Sequence, residues 1–132
     1  MKNSKKNKNK IFINDEVPSV VVNSAGRLGR GVFANRNIQK DEVFLENHLL
    51  KLGPADVHFC QKSILQNYMY SGGDNYDQNS GYIALGPGSL INDANYTPNV
   101  SYEIDSYRNV IIYTATTDIK QGEQLFIRYN WE

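Results

Sequence analysis

Gly122-Glu123-Gln124-Leu125-Phe126-Ile127-Arg128-Tyr129 ends the last turn of the chain and opens its last strand. Gln121-Gly122 is a turn pair, and Gln124–Tyr129 reads as the strand it feeds. Its lead-in, Ile119-Lys120-Gln121-Gly122-Glu123, is echoed far upstream by Ile38-Gln39-Lys40-Asp41-Glu42, with aspartate where the second copy has glycine. Each copy reads as a turn delivering the chain into a strand. Working back from the closing stretch, Val110–Ala115 is an apolar, β-branched strand, and Val100–Ile104 is another behind a loop holding Pro98. Gly81–Leu85 is a short strand ended by the turn Gly86-Pro87-Gly88. A polar loop spans Ser71–Ser80, and His58–Tyr70 carries Ile64, Leu65, Tyr68 and Met69 at helical spacing. Glu42–Glu46 alternates as a half-buried strand does. The glycine-rich turn Gly26–Gly31 joins the strands Ser19–Val22 and Val32–Ala34. The sum is a mostly β fold with one or two short helices.

The bulk properties bound what such a fold can be. The chain has 132 residues, enough for one domain with a real core, and 40% hydrophobic against 21% charged residues is a globular composition. No apolar run approaches a membrane span, and the polar N-terminus carries no secretory signal. Cys60 is the single cysteine, so there is neither an internal disulfide nor a cysteine-based zinc site, and a reducing compartment is expected. The formal charge of zero conceals an asymmetry: five of the fourteen basic residues lie in residues 1–10, leaving nine against fourteen acids, a net −5, in residues 11–132. A Lys/Asn-rich arm, residues 1–14, reads as disordered and precedes an acidic body, residues 15–132. Such a body attracts cationic partners and repels nucleic-acid phosphates.

Taken one at a time the motifs are modest. Gly29-Arg30-Gly31 lets a backbone approach a ligand closely but lacks the strand-to-helix context of a dinucleotide site. His48 and His58 stand without metal-ligand spacing, and no hydrolase elbow surrounds any serine. Their order is more specific. Gly29-Arg30-Gly31-Val32-Phe33-Ala34, Tyr68 at the end of the helix, Gly88-Ser89-Leu90-Ile91-Asn92 followed by Pro98-Asn99, and the closing Gly122–Tyr129 stretch occur in sequence. In that order the chain resembles the SET-domain protein lysine methyltransferases, of the minimal single-domain kind, from about Val20 to Trp131.

The resemblance implies small curved sheets with a C-terminal segment threaded beneath a loop, a connection rare enough that the strand pattern alone would not suggest it. It implies S-adenosyl-L-methionine as cofactor and no metal. Gly29, Arg30, Gly31, Asn92, Asp93 and Tyr129 would bind that cofactor. Tyr129 and Tyr68 would be the catalytic tyrosines, and Tyr68, Ile127 and Trp131 would line the lysine channel. The residue types suit the chemistry: only a neutral amine can attack, free lysine has a pKa near 10.4, and an apolar channel favours the uncharged form. The implied substrate is a basic protein or peptide, histone or otherwise, met inside the cell, in the cytoplasm or, for chromatin, in the nucleus. Nucleic-acid binding is not expected except through the arm.

Three departures stand out. The family histidine after the asparagine is Asp93. Ile127 occupies a position where relatives often carry Tyr or Phe, which leaves the number of methyl groups added open. With three residues after Tyr129, Trp131 is the aromatic left to roof the channel unless a second subunit of a homodimer does so. Two rival readings follow: a catalytically inactive SET domain that binds proteins, favoured by Asp93 and the short end, and a small nucleic-acid-binding β domain, opposed by the acidic body.

Overall fold

Strands form where the chain alternates between core and surface. In the computed structural model, which describes residues 17–71, 80–94 and 97–129, β1 (Val20–Ser24) pairs antiparallel with β2 (Arg30–Ala34) as a two-stranded sheet. A second sheet has seven strands. They are β3 (Val43–Leu52), β4 (Met69–Tyr70), β5 (Gly81–Leu85), β6 (Asn92–Asp93), β7 (Val100–Asp105), β8 (Val110–Ala115) and β9 (Phe126–Ile127), in the order β4-β5-β3-β8-β7-β9-β6. Val32, Ile38, Phe44, Ile111, Tyr113, Ile119, Leu125 and Ile127 fill the core between the sheets. The arm, most of the 71–80 loop and Trp131 lie outside the described residues.

The expected helix His58–Tyr70 is corrected. The α-helix, α1, is Pro54–Cys60, followed by a 3-10 turn over Ile64–Tyr68 and then by β4. Proline at the first helical position and Asp56, whose carboxylate accepts the Gly53 N–H at 3.0 Å, start the helix earlier than apolar spacing suggests. Ser63 breaks it: its hydroxyl donates to the Cys60 carbonyl at 3.2 Å and accepts the Leu65 N–H at 3.1 Å. Ile64 and Leu65, whose spacing mimicked a buried face, are exposed, Ile64 by 71%. Two strands differ most in length from their expected bounds. β3 runs to Leu52 because β5 and β8 pair with it on both sides. The expected strand Gln124–Tyr129 shortens to Phe126–Ile127 because its successive residues serve different partners.

The two echoed segments turn out to be each other's partners. Ile38 and Ile119 exchange N–H···O bonds, both 2.8 Å. Asp41 N–H reaches the Ala115 carbonyl and Gly122 N–H the Ala34 carbonyl, again both 2.8 Å. The Glu42 carboxylate accepts the Gln39 N–H at 3.0 Å, and the Glu123 carboxylate accepts the Lys120 N–H at 2.9 Å. Lys40 N–H finds Asp118 and Gln121 N–H finds Asn37 in the same reciprocal way. The pair is a local two-fold, and its turn residues Asp41 and Gly122 share a left-handed backbone, φ 71° and 92°. The second copy launches the final segment into the molecule.

That segment is held on every side. Leu125 N–H bonds the Val32 carbonyl at 2.8 Å, and Gln124 bridges Phe33. β9 then lies parallel between β6 and β7. Ala94 N–H and Asn99 N–H bond the carbonyls of Ile127 and Phe126 at 2.9 and 3.0 Å, and the Asn99 carboxamide clasps Gln124 O and Phe126 N. β9 therefore lies between β6 and β7, two strands consecutive in the chain, the threading that the family resemblance implied.

Candidate functional site

The threaded segment brings β6 and Tyr129 together. Asn92 pairs with Phe126 and Asp93 with Ile127, so β6 runs in parallel beside β9 and its end lies near Tyr129. The Asn92 carboxamide donates from Nδ2 to the Arg30 carbonyl and to Gln124 Oε1, both at 3.0 Å. Its oxygen has no protein partner among the described residues. Gly31 lies buried beneath this pair: a Cβ there would stand 2.6 Å from Gln124 Oε1 and 3.1 Å from Asn92 Nδ2. Asp93 turns its carboxylate to the Tyr129 N–H at 3.2 Å and so ties β6 to the residue beyond β9.

Beside these residues is an open cleft of about 460 Å³. Gly29, Arg30, Tyr68, Asn92, Asp93 and Tyr129 all line it, drawn from four separate stretches of chain. A second, narrow space of about 10 Å³, roughly one water molecule, abuts it and shares Asn67, Tyr68, Ser89 and Tyr129. Met69 and Tyr70 complete its lining, and none of its residues is charged. Tyr68, 36% exposed, stands at the junction.

Tyr129 belongs to a cluster of phenols. Its ring lies 5.6 Å from that of Tyr70 and 5.9 Å from that of Tyr102, and Tyr70 meets Tyr102 edge-on at 5.3 Å. The Tyr129 hydroxyl donates to the Ile91 carbonyl at 2.8 Å. That carbonyl is positioned by the 3-10 turn Pro87–Leu90, which buried Asn47 holds by accepting the Gly88 N–H at 2.9 Å. Tyr70 and Tyr113 are hydrogen-bonded at 3.1 Å, and Tyr70 reaches Tyr129 at 3.4 Å. Burial pushes the phenols of Tyr70, Tyr113 and Tyr129 well above the ordinary tyrosine range, and for Tyr129 the neighbouring Tyr70 adds to it. The phenol cluster is thus neutral and able to accept hydrogen bonds without offering an ionised base.

Two sequence candidates lie elsewhere, and a third falls outside what the structure describes. Gly31 supports the Asn92–Gln124 pair from below rather than lining the cleft. Ile127 is wholly buried in the main core and lines neither space. Trp131 is outside the described residues. Conversely, Tyr70, Tyr102 and Tyr113 join the cluster without having been singled out; nine tyrosines in the composition were the available signal, but nothing local distinguishes these three. Among the described residues no group of His, Cys, Asp or Glu could hold a metal ion, and no helix is long and apolar enough to cross a membrane.

A threaded C-terminal strand beside an Asn-Asp strand and a buried tyrosine is a distinctive arrangement, and residues 29–130 match the family model of the SET domain. The chain belongs to the SET-domain family. This SET domain is 31% identical over 104 residues, 78% of its own length and 67% of the relative's, to a Schizosaccharomyces pombe histone-lysine N-methyltransferase specific for H3 lysine-37. Its fold is similar to that of a Plasmodium falciparum crystal structure, with a TM-score of 0.68 and 24% identity over 88% of this chain and 96% of that one. It is similar as well to the Chaetomium thermophilum Polycomb Repressive Complex 2 bound to S-adenosylmethionine, with a TM-score of 0.68 and 23% identity. There the match covers 86% of this chain but 15% of that one.

Proposed function

We propose that this SET domain transfers a methyl group from S-adenosyl-L-methionine to the side-chain amine of lysine in a basic protein, a histone tail above all. The observation that carries this reading is the meeting of the two spaces at Tyr129: an open cleft on one side, an uncharged gap of single-water size on the other. The cleft has the volume of a small-molecule site. Its donor set suits the cofactor's amino-acid end, because the Asn92 oxygen is left for an ammonium group once Nδ2 is committed to Arg30 and Gln124. When bound, the cofactor supplies an electrophilic methyl on a positively charged sulfur.

The chain's own residues do the rest. The backbone at Arg30 flanks the amino-acid end, and Gly31 keeps the floor low enough for Asn92 to lie flat. Tyr68 walls the gap, and Tyr129 receives the lysine amine at its inner end. A gap without charged residues favours the neutral amine, the form with a free lone pair, and positioning replaces general-base chemistry. Asp93, whose departure from the family residue suggested an inactive domain, has a role compatible with activity: it holds the Tyr129 backbone. The S. pombe relative's histone specificity and the net −5 of residues 11–132 both favour a basic tail as substrate.

The test is incubation of the purified chain with labelled S-adenosyl-L-methionine and core histones, followed by mass spectrometry of lysine-bearing peptides. Methylated lysine is expected with the wild type, and Tyr129→Phe, properly folded, should lose nearly all of it. Absence of transfer to histones and to other basic proteins, with cofactor binding intact, would replace this reading with that of a binding module.

A further inference from the structure

We propose that Tyr113 and Tyr70 are positioning residues for the transfer: a one-way chain of hydrogen bonds, Tyr113 to Tyr70 to Tyr129 to the Ile91 carbonyl, fixes the Tyr129 hydroxyl so that its oxygen, not its hydrogen, meets the incoming amine. The inference rests on the lysine-methyltransferase reading of Tyr129.

The direction of the chain follows from counting protons. A phenol has one O–H. Tyr129 donates its own to the Ile91 carbonyl at 2.8 Å, and Tyr70 donates to Tyr129 at 3.4 Å. Tyr70 therefore has no proton left for the 3.1 Å contact with Tyr113, and Tyr113 must be the donor there. The relay has a dry end and an active end. Tyr113 is 0% exposed, in the middle of β8 and inside the main hydrophobic core. A hydroxyl buried this deeply is costly unless bonded, and Tyr70 is the partner that satisfies it. Its ring cannot swing away, because Gly88 packs directly against it, so closely that a Cβ at Gly88 would strike the Tyr113 ring. Gly88 thus serves both ends: its turn leads to Ile91, which receives the Tyr129 proton, and its bare α-carbon seats Tyr113, which starts the relay.

The consequence for chemistry is orientational. A Tyr129 hydrogen aimed at the amine would occupy the lone pair that must attack. Held on Ile91, that hydrogen is out of the way, and the oxygen accepts an amine N–H and leaves the lone pair facing the cleft. Tyr113 touches neither amine nor cofactor and acts only through Tyr70.

The experiment is a double-mutant cycle of Tyr113→Phe and Tyr70→Phe, both of which preserve ring volume. Turnover, peptide KM and affinity for S-adenosylhomocysteine are measured, together with the ¹³Cζ resonance of Tyr129 in tyrosine-labelled protein. Tyr113→Phe should lower kcat about threefold to tenfold, the worth of one neutral hydrogen bond. It should leave KM and cofactor-product affinity near wild type and shift the Tyr129 resonance. In the Tyr70→Phe background the same substitution should change neither kcat nor the resonance. Additive losses in kcat, or no loss from Tyr113→Phe alone, would overturn the proposal. If the wild type transfers no methyl, the reading of the active site falls. The resonance then decides the relay: coupling between the two substitutions sustains the hydrogen-bond chain, and independent or absent shifts refute it.

Discussion

Gly31→Ala isolates the part of the site that depends on space alone. A Cβ at this position would lie 2.6 Å from Gln124 Oε1, 3.0 Å from Ala25 Cβ and 3.1 Å from Asn92 Nδ2. For ordinary van der Waals contact the Gln124 oxygen must retreat by roughly an ångström. The Asn92–Gln124 bond, now 3.0 Å, then passes beyond useful hydrogen-bond length. Asn92 keeps its hold on Arg30 but is free to turn. Crowding of this kind costs about 1–3 kcal/mol of stability. A hydrogen bond to a charged ligand group is worth about 1.5–3 kcal/mol, and a displaced but intact carboxamide should forfeit the lower part of that, roughly tenfold in affinity. Calorimetric titration with S-adenosylhomocysteine, beside a thermal melt, reads both numbers. Gln124→Ala alone removes the same acceptor from Asn92 and should cost a similar factor, and adding Gly31→Ala to it should cost little more. Wild-type affinity in the Gly31→Ala variant, or fully additive losses in the double, would show that Gly31 does not act through Asn92.

Asp41→Gly should raise stability by about half a kcal/mol, roughly 2–4 °C in Tm, because Asp41 holds a left-handed φ of 71° that its two-fold counterpart Gly122 adopts freely; a lower Tm would count against strain there. Asp93→Ala should slow methyl transfer several-fold, about the effect of one hydrogen bond, by freeing the Tyr129 N–H, whereas Asp93→Asn keeps an acceptor and should retain most activity. Equal losses in the two variants would mean that the charge, not the bond, is what matters. Alkali should unfold the protein steeply. Tyr70, Tyr113 and Tyr129 keep their protons in the folded state above the ordinary phenol pKa of about 10, so the folded state binds more protons than the unfolded one and stability falls as pH rises past that value. Each phenol contributes about 1.4 kcal/mol per pH unit, some 4 kcal/mol together, and Tyr113→Phe should remove about a third of the slope in melts between pH 9 and 11. An unchanged slope would place the ionisable protons elsewhere.

Local chemistry was readable wherever one residue and its neighbours decide the outcome. The strands Gly81–Leu85 and Val110–Ala115 match their sequence reading to the residue, because alternation and β-branching act within the strand itself. The echo of Ile38–Glu42 in Ile119–Glu123 is likewise visible in one dimension, as are the glycine-rich turn and the Asn92-Asp93 dipeptide. What these pieces do to one another is not. That the two echoes bind each other, that β9 enters between β6 and β7, and that a helix expected at His58 starts at Pro54 and stops before Ser63 depend on caps and partners far apart in the chain. The site divides along the same line. Tyr129 could be singled out by its place in the closing stretch, but Tyr70, Tyr102 and Tyr113 look like any other tyrosines until the sheet sets their rings side by side. Ile127 occupies a position suggestive of a channel, yet its burial is decided by strands on either side. The sequence by itself determined most of the strands and turns and which family they spell, since propensity and spacing act over a few residues. Only the tertiary structure decided which hydroxyls and carboxamides meet, because a hydrogen bond between Tyr113 and Tyr70, or Asn92 and Gln124, depends on ångström-scale placement by threading and packing that no short window of sequence contains.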